Sequence, residues 1–129
     1  MISFQAFRQT DGTPIYLQII RYIQQGLAAG TIRDGDELPS RRVVSALLAV
    51  NPNTVQKAFR LLEDEGLVVS RAGAKSYVQA SPQQIAALRR ALLETEMQAM
   101  VDAAKRIGLT REEAHRLLDT LYDKEGTDA

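Results

Sequence analysis

Residues 38–66 read LPSRRVVSALLAVNPNTVQKAFRLLEDEG, and this stretch decides the fold because two short amphipathic helices follow each other within it. Ser40 is a typical N-cap for the first helix. The buried side of that helix is expected to comprise Val44, Leu47 and Leu48, which recur at helical spacing.

The second helix of this stretch follows the break VNPNT. Asn51 can cap it, and Pro52 suits the first turn, where a backbone N–H is not needed. The apolar stripe that should face the core consists of Val55, Ala58, Phe59 and Leu62. Gly66 fits the end of the helix because glycine tolerates positive φ. Two helices joined by so few residues predict a helix-turn-helix.

The flanking sequence extends this motif on both sides. Upstream, Thr13 is expected to cap a helix that starts with Pro14 and ends at Gly30, and a short extended piece closes on Pro39. Downstream, LVVSR and KSYVQ are β-prone segments separated by the turn AGA, which predicts a two-stranded hairpin. Three helices and a hairpin predict a winged helix-turn-helix over residues 1–80.

Residues 81–129 are predicted to form a short helical region in a chain that is mainly α with a small β-hairpin. Ser81-Pro82 opens a long helix ended by Gly108, and Thr110 with Glu113 makes a capping box for a last helix. The apolar stripes of these two helices are too wide to be buried within so short a segment. We therefore expect a homodimer, with an interface formed by Leu88, Leu92, Leu93, Met97, Met100, Val101, Ile107, Leu117, Leu118 and Leu121. The alternative is that the long stripe packs only on the winged domain.

Composition is that of an ordinary soluble protein, with 45% hydrophobic and 25% charged residues. There is no cysteine, no apolar run long enough for a membrane span and no signal-peptide pattern, so a cytoplasmic location and no membrane contact are expected. Net charge is zero, being +2 over residues 1–80 and −2 over residues 81–129. A nucleic-acid binder with no net charge must have its few cations positioned to contact phosphates, because contacts to the phosphate backbone supply most of the non-specific affinity.

Polar side chains surround the first turn of the predicted recognition helix, where such a helix meets base edges in the major groove. They are Asn53, Thr54, Gln56 and Lys57. Asn and Gln match the adenine edge, and Lys can reach guanine or a phosphate. Ser40 and the free N–H groups behind it suit a phosphate. Ser40 and Asn51 can also be caps and nothing more, and Thr54 can merely satisfy local backbone.

The stretch from Pro14 to Val78 resembles the GntR family of bacterial regulators. The resemblance is carried by PIYLQI, by GDELPSRR and by NPNTVQKAFRLLEDEGLV, and with the short tail it is similar to the YtrA subfamily. It implies a repressor, commonly one that controls neighbouring transporter genes. Because a twofold dimer presents two recognition helices to two half-sites, we expect the operator to be an inverted repeat in double-stranded DNA. Arg42 aligns with the family arginine that reaches bases or backbone, whereas Arg41 falls at a variable position and is expected to add a phosphate contact.

The tip of the predicted wing departs from the family pattern. Arg71 and Gly73 match the usual tip, but Ala72 and Ala74 replace cations, and Lys75 stands where glycine is usual. Arg71, Gly73 and Lys75 are retained as expected DNA contacts, with a weaker minor-groove grip than the family pattern implies.

Other functions have little support in the sequence. The single histidine, His115, has only carboxylates near it at helical spacing, so no metal site is predicted, and no cofactor, nucleophile–base pair or phosphate loop is indicated. A winged-helix module that docks on protein is the alternative, although such a face would carry exposed aromatic residues. The sequence leaves open an unknown small-molecule effector.

Overall fold

The computed structural model describes residues 1–71 and 75–128. The chain forms two compact units, Met1–Arg90 and Ala91–Ala129. None of the helices in the described part of the chain has the length and apolar composition needed to cross a bilayer. The functional division after residue 80 stays a prediction.

The first unit begins with helix α1 (Ile15–Ala29). Pro14 is its N-cap, in place of the expected Thr13, and α1 shows no side-chain cap hydrogen bond. The shift is one residue, and the fixed φ of proline, −55°, still directs the chain into the helix. At the other end, Gly30 adopts φ 84° and its N–H donates to the Leu27 carbonyl, the left-handed cap expected of glycine.

Helices α2 (Arg41–Leu48) and α3 (Pro52–Asp64) form the helix-turn-helix, as the sequence predicts. The Ser40 hydroxyl accepts a hydrogen bond from the Val43 N–H at 3.1 Å. The Asn51 side chain accepts from the Asn53 N–H at 2.8 Å. Both expected N-caps are therefore confirmed.

The strands form a three-stranded antiparallel sheet in the order β1 (Glu37–Leu38), β3 (Lys75–Val78), β2 (Val68–Arg71). The hairpin of β2 and β3 was predicted, but the pairing of β1 with β3 was not. Two backbone hydrogen bonds beside β1 extend this pairing, from Gly35 N–H to the Val78 carbonyl and from Val78 N–H to the Asp36 carbonyl, each 2.8 Å. The sheet thus ties the wing to the segment that enters α2.

The core of the first unit is built on α1 and α3. Its largest fully buried side chains are Ile19, Ile23, Leu27, Val44, Val55, Phe59, Leu62 and Val78. Leu47 was predicted to be buried but is 66% exposed. Helix α2 is only eight residues long and buries Val44 and Ser45, so its narrow inner face does not extend to Leu47.

The segment before α1 contributes to the core, which the sequence analysis did not anticipate. Ile2, Phe4 and Phe7 are buried. The Phe4 ring stacks on Tyr22 of α1 with centroids 5.1 Å apart, and Phe7 meets Tyr22 edge-on at 5.5 Å. The Ile2 N–H donates to the Glu37 carbonyl at 2.8 Å, which fixes this segment beside β1.

The second unit contains most of α4 (Pro82–Arg106) and all of α5 (Arg111–Asp128). Thr110 and Glu113 form the predicted capping box, with reciprocal hydrogen bonds of 3.0 and 3.1 Å. The backbone and side-chain hydrogen bonds from Thr110 lower the pKa of the Glu113 carboxyl. Ser81 and Gln84 form an equivalent box at the start of α4. Both helices therefore begin where the sequence indicates.

Gly26, inside α1, is predicted to be required by close packing. A Cβ there would lie 2.7 Å from Ile32 Cγ1 and 3.2 Å from Ile32 Cβ, and Ile32 is buried. Gly26→Ala should lower the free energy of unfolding by about 1–2 kcal/mol, because overpacking outweighs the better helix propensity of alanine. Urea unfolding measures this change. Gln25→Ala, at an exposed neighbouring position, is the control.

The packing explanation also requires that Ile32→Val be less destabilising when Gly26 is already alanine, since shortening Ile32 relieves the contact. A Gly26→Ala variant as stable as the unmodified chain would show that Ile32 moves aside without cost.

Candidate nucleic-acid interface

The N-terminal end of α3 presents a row of polar side chains to solvent. Asn53, Gln56 and Lys57 are exposed and Thr54 is half-buried. They point outward because Val55, Ala58, Phe59 and Leu62 of the same helix are at most 1% exposed. The structure therefore brings all four sequence-predicted residues of this helix to one end, with amide and ammonium groups suited to base edges.

Lys57 is held by an aromatic ring. Its Nζ lies 4.0 Å from the ring centroid of Tyr16, at the start of α1. A cation over a tyrosine face is attracted by the ring quadrupole, which limits the directions in which Lys57 extends. Tyr16 was not among the predicted site residues. It lies within the PIYLQI motif, but only the folded chain shows that it contacts the recognition helix.

Arg41 and Arg42, adjacent at the start of α2, have different surroundings. The guanidinium of Arg41 lies 5.4 Å from the Phe59 ring centroid and its Nη2 is 3.5 Å from Glu63 Oε1. Arg42 is exposed. Arg41 is therefore partly engaged within the protein, while Arg42 extends into solvent beside the capped end of α2.

Ser40 and Asn51 both use their side-chain oxygens as N-caps. Their part in DNA contact stays a prediction. As caps they fix the starts of α2 and α3, and the remaining N–H groups at a helix N-terminus favour a nearby anion.

The two predicted wing cations meet across the hairpin. Arg71 on β2 is directly opposite Lys75 on β3, and both are exposed. The Arg71 guanidinium lies 5.0 Å from the centroid of the Tyr77 ring. Like charges in directly opposite positions of two strands are destabilising. Gly73, the third predicted wing contact, lies outside the described residues with Ala72 and Ala74.

The predicted dimer residues lie mainly in the second unit, and most are exposed there. Large exposed fractions are found for Leu93, Met97, Met100, Val101, Ile107, Leu117 and Leu121. Leu92 and Leu118 are half-buried. Leu88 belongs to the first unit and packs against its core, so its dimer role, like that of the others, stays a prediction.

A groove between α4 and α5, of about 470 Å³, is lined mainly by apolar side chains and by His115. Across the described residues, no group of three or more His, Cys, Asp or Glu side chains is placed to hold a metal ion.

Comparison with known proteins agrees with this arrangement. The family described as "Bacterial regulatory proteins, gntR family" matches residues 15–78, from α1 to the end of β3. The chain is 30% identical over 106 residues to the HTH-type transcriptional repressor YtrA of Bacillus subtilis, covering 81% of this chain and 82% of that protein. The chain belongs to the GntR family. It carries the helix-turn-helix DNA-binding domain of these transcriptional regulators, and the likeness to YtrA confirms the predicted subfamily.

Solved structures extend the likeness beyond the DNA-binding domain. A GntR family transcriptional regulator from Listeria monocytogenes superposes with a TM-score of 0.80 at 27% identity, covering 87% of this chain and 98% of that one. YtrA from Sulfolobus acidocaldarius gives a TM-score of 0.57 at 31% identity, covering 78% of this chain and 99% of that one. The predicted fold class, a winged helix-turn-helix with a short helical tail, is thus confirmed in this GntR-family chain.

Proposed function

We propose that this GntR-family chain is a homodimeric repressor that binds a specific inverted-repeat operator in double-stranded DNA. The observation that carries the proposal is the row of polar side chains at the N-terminal end of α3, with Asn53, Gln56 and Lys57 exposed and Thr54 half-buried. Helices of this motif place that end against base edges in the major groove. The Bacillus subtilis relative is named a transcriptional repressor, which supports the same direction of control here.

Phosphate contacts in this proposal come from the elements on either side of the recognition helix. Ser40, Arg41 and Arg42 lie at the start of α2, and Arg71 and Lys75 lie at the described base of the wing. Asn51 and Gly73 complete the proposed set. Since net charge is zero, these few cations have to supply the attraction to DNA, and binding is expected to have a shallow salt dependence.

The dimer in this proposal is formed by the second unit. Eight large apolar side chains, seven on α4 and α5 and Ile107 just after α4, are 38–77% exposed. A contiguous apolar patch of this kind is unusual on a monomeric surface. A twofold partner would cover them and present two recognition helices to two half-sites. The proposed partner is thus a second copy of the chain, acting in the cytoplasm. The proposed targets are neighbouring transporter genes, and a small-molecule effector of unknown identity is left open.

Selection from a random duplex library tests the DNA proposal directly. The purified chain should enrich one inverted-repeat sequence, and should bind it at least about a thousandfold more tightly than random duplex, as is typical of specific readout. The binding constant is then measured at several salt concentrations and one temperature. The logarithm of the binding constant falls with the logarithm of the salt concentration, with a slope of about 0.9 for each phosphate contacted. No enrichment, with no binding to random duplex at low salt, would favour a protein-docking module instead.

The two neighbouring arginines are expected to differ in their effect on specificity. Arg42 is exposed and free to reach bases, so Arg42→Ala should weaken the selected duplex by about 1–3 kcal/mol and random duplex much less. Arg41→Ala should weaken both to a similar extent and lower the salt slope by about 1. Fluorescence anisotropy with both duplexes measures the two effects. Equal, sequence-independent losses for the two variants would contradict the assignment.

The dimer is expected to depend on the exposed face of α4. Leu93 and Met97 are 55% and 52% exposed within the chain, so Leu93→Lys with Met97→Lys should leave the fold intact. In the dimer the same changes place unpaired charges against an apolar surface, which is costly, and the protein should become monomeric at micromolar concentration. Light scattering measures the mass. Thr95→Lys with Gln98→Lys, at exposed polar positions of the same helix, should remain dimeric.

A Leu93→Lys, Met97→Lys variant that is still dimeric would place the interface elsewhere. The DNA selection described above does not depend on that result.

A further inference from the structure

We propose that Glu63 is a positioning residue for DNA binding, which holds an arginine of α2 and a serine of the wing through one carboxylate oxygen. The inference deepens the proposed function and rests on it. Sequence reasoning did not single out Glu63. An acidic residue beside a DNA-binding surface is ordinarily unfavourable, so the role of this one needs a specific structural reason.

The geometry around Glu63 joins three elements. Its Oε1 accepts a hydrogen bond from Arg41 Nη2, at the start of α2, at 3.5 Å. The same oxygen accepts from Ser70 Oγ on β2 at 2.9 Å. Glu63 itself lies on α3, one residue after the buried Leu62. One carboxylate therefore connects the helix before the recognition helix, the recognition helix and the wing.

Arg41 is held from two directions. Its guanidinium lies above the ring of Phe59, which is 1% exposed and fixed in the core, and its edge meets Glu63. Its Nε is buried, with no hydrogen-bond partner among the described residues. The planar group of arginine suits stacking on a ring together with an in-plane contact to a carboxylate. Glu63 thus fixes the direction in which Arg41 can offer its remaining N–H groups to a phosphate.

Ser70 links Glu63 to strand β2 of the wing. It directly precedes Arg71, which is paired with Lys75 across the hairpin. Because Ser70 is bonded to α3 through Glu63, the cations of the wing keep a fixed relation to the row of polar side chains on that helix. DNA binding then orders fewer side chains, and less conformational entropy is lost.

A purely electrostatic role of Glu63 and a positioning role predict opposite effects of Glu63→Gln on DNA affinity. This substitution removes the charge and keeps the shape of the side chain. If only charge mattered, removal of a carboxylate would strengthen binding to any duplex. If Glu63 positions Arg41 and Ser70, binding to the selected duplex should weaken by about two- to fivefold, the range expected for an exposed ion pair. The assay is fluorescence anisotropy with the selected duplex and with random duplex, at fixed salt.

Asp64→Asn is the matched control. Asp64 is the next residue of the same helix and is exposed, so this change removes the same charge without touching Arg41 or Ser70. It should leave affinity unchanged or raise it slightly. Thermal unfolding of both variants checks that the fold is retained.

A mutant cycle separates positioning from a general effect on stability. In a background of Arg41→Ala with Ser70→Ala, Glu63→Gln should no longer weaken binding, because the residues through which it acts are absent. The single Ser70→Ala change should by itself weaken the selected duplex in the same direction as Glu63→Gln.

The outcomes are distinguishable from failure of the proposed function. If the unmodified chain binds the selected duplex but Glu63→Gln binds it as well or better, the positioning role is overturned and the DNA function stands. Weakening that persists in the Arg41→Ala, Ser70→Ala background also overturns the role. If the unmodified chain selects no duplex, both proposals fail together.

Discussion

Burial of one face of α3 is the constraint on which the site depends. Val55, Ala58, Phe59 and Leu62 are at most 1% exposed, and each large apolar side chain so buried stabilises the fold by about 1.5–3 kcal/mol. A helix with this stripe fixed in the core has only one orientation about its axis. Asn53, Gln56 and Lys57 then point into solvent as a consequence of packing, on a helix backbone that its buried face holds in place.

Cations on this surface repeatedly lie over aromatic rings. Arg41 lies over Phe59, Lys57 over Tyr16 and Arg71 over Tyr77, at 4.0–5.4 Å from the ring centroids. A chain with zero net charge cannot rely on a strong overall field to attract DNA. Side chains that are already held in place lose less entropy on binding. For Lys57 and Arg71 the described contact is a ring, whereas Arg41 also meets the Glu63 carboxylate.

The helices of the C-terminal region, α4 and α5, bury far less of their apolar surface than α3 does. Within α4, a fully described helix, no residue is buried, although its sequence is rich in leucine, methionine and alanine. Helix α5 likewise leaves Leu117, Leu121 and Tyr122 at least half exposed. The capping boxes fix where both helices start, but the described residues of the chain bury little of these apolar stripes. This is the reason for assigning the cover to a second copy.

Residue order alone was enough to predict the elements whose signals are local. Ser40 and Asn51 bond backbone groups two or three residues away, and the stripe of α3 follows from helical period alone, so residue order was sufficient for both. The family motifs likewise lie within one continuous stretch, residues 14–78. The winged helix-turn-helix and the polar row on its third helix could therefore be predicted without coordinates.

Features that depend on segments distant in sequence become visible only in the folded chain. Strand β1 became a strand by pairing with β3, about forty residues later, and two strand residues carry no period of their own. Leu47 matched the helical period but lies outside the narrow inner face of α2, which buries Val44 and Ser45, and it is therefore exposed. Glu63 and Tyr16 acquired their partners through packing of α3 against α1, α2 and the wing. Such contacts arise from how the elements meet in space, and sequence spacing within one element carries no record of them.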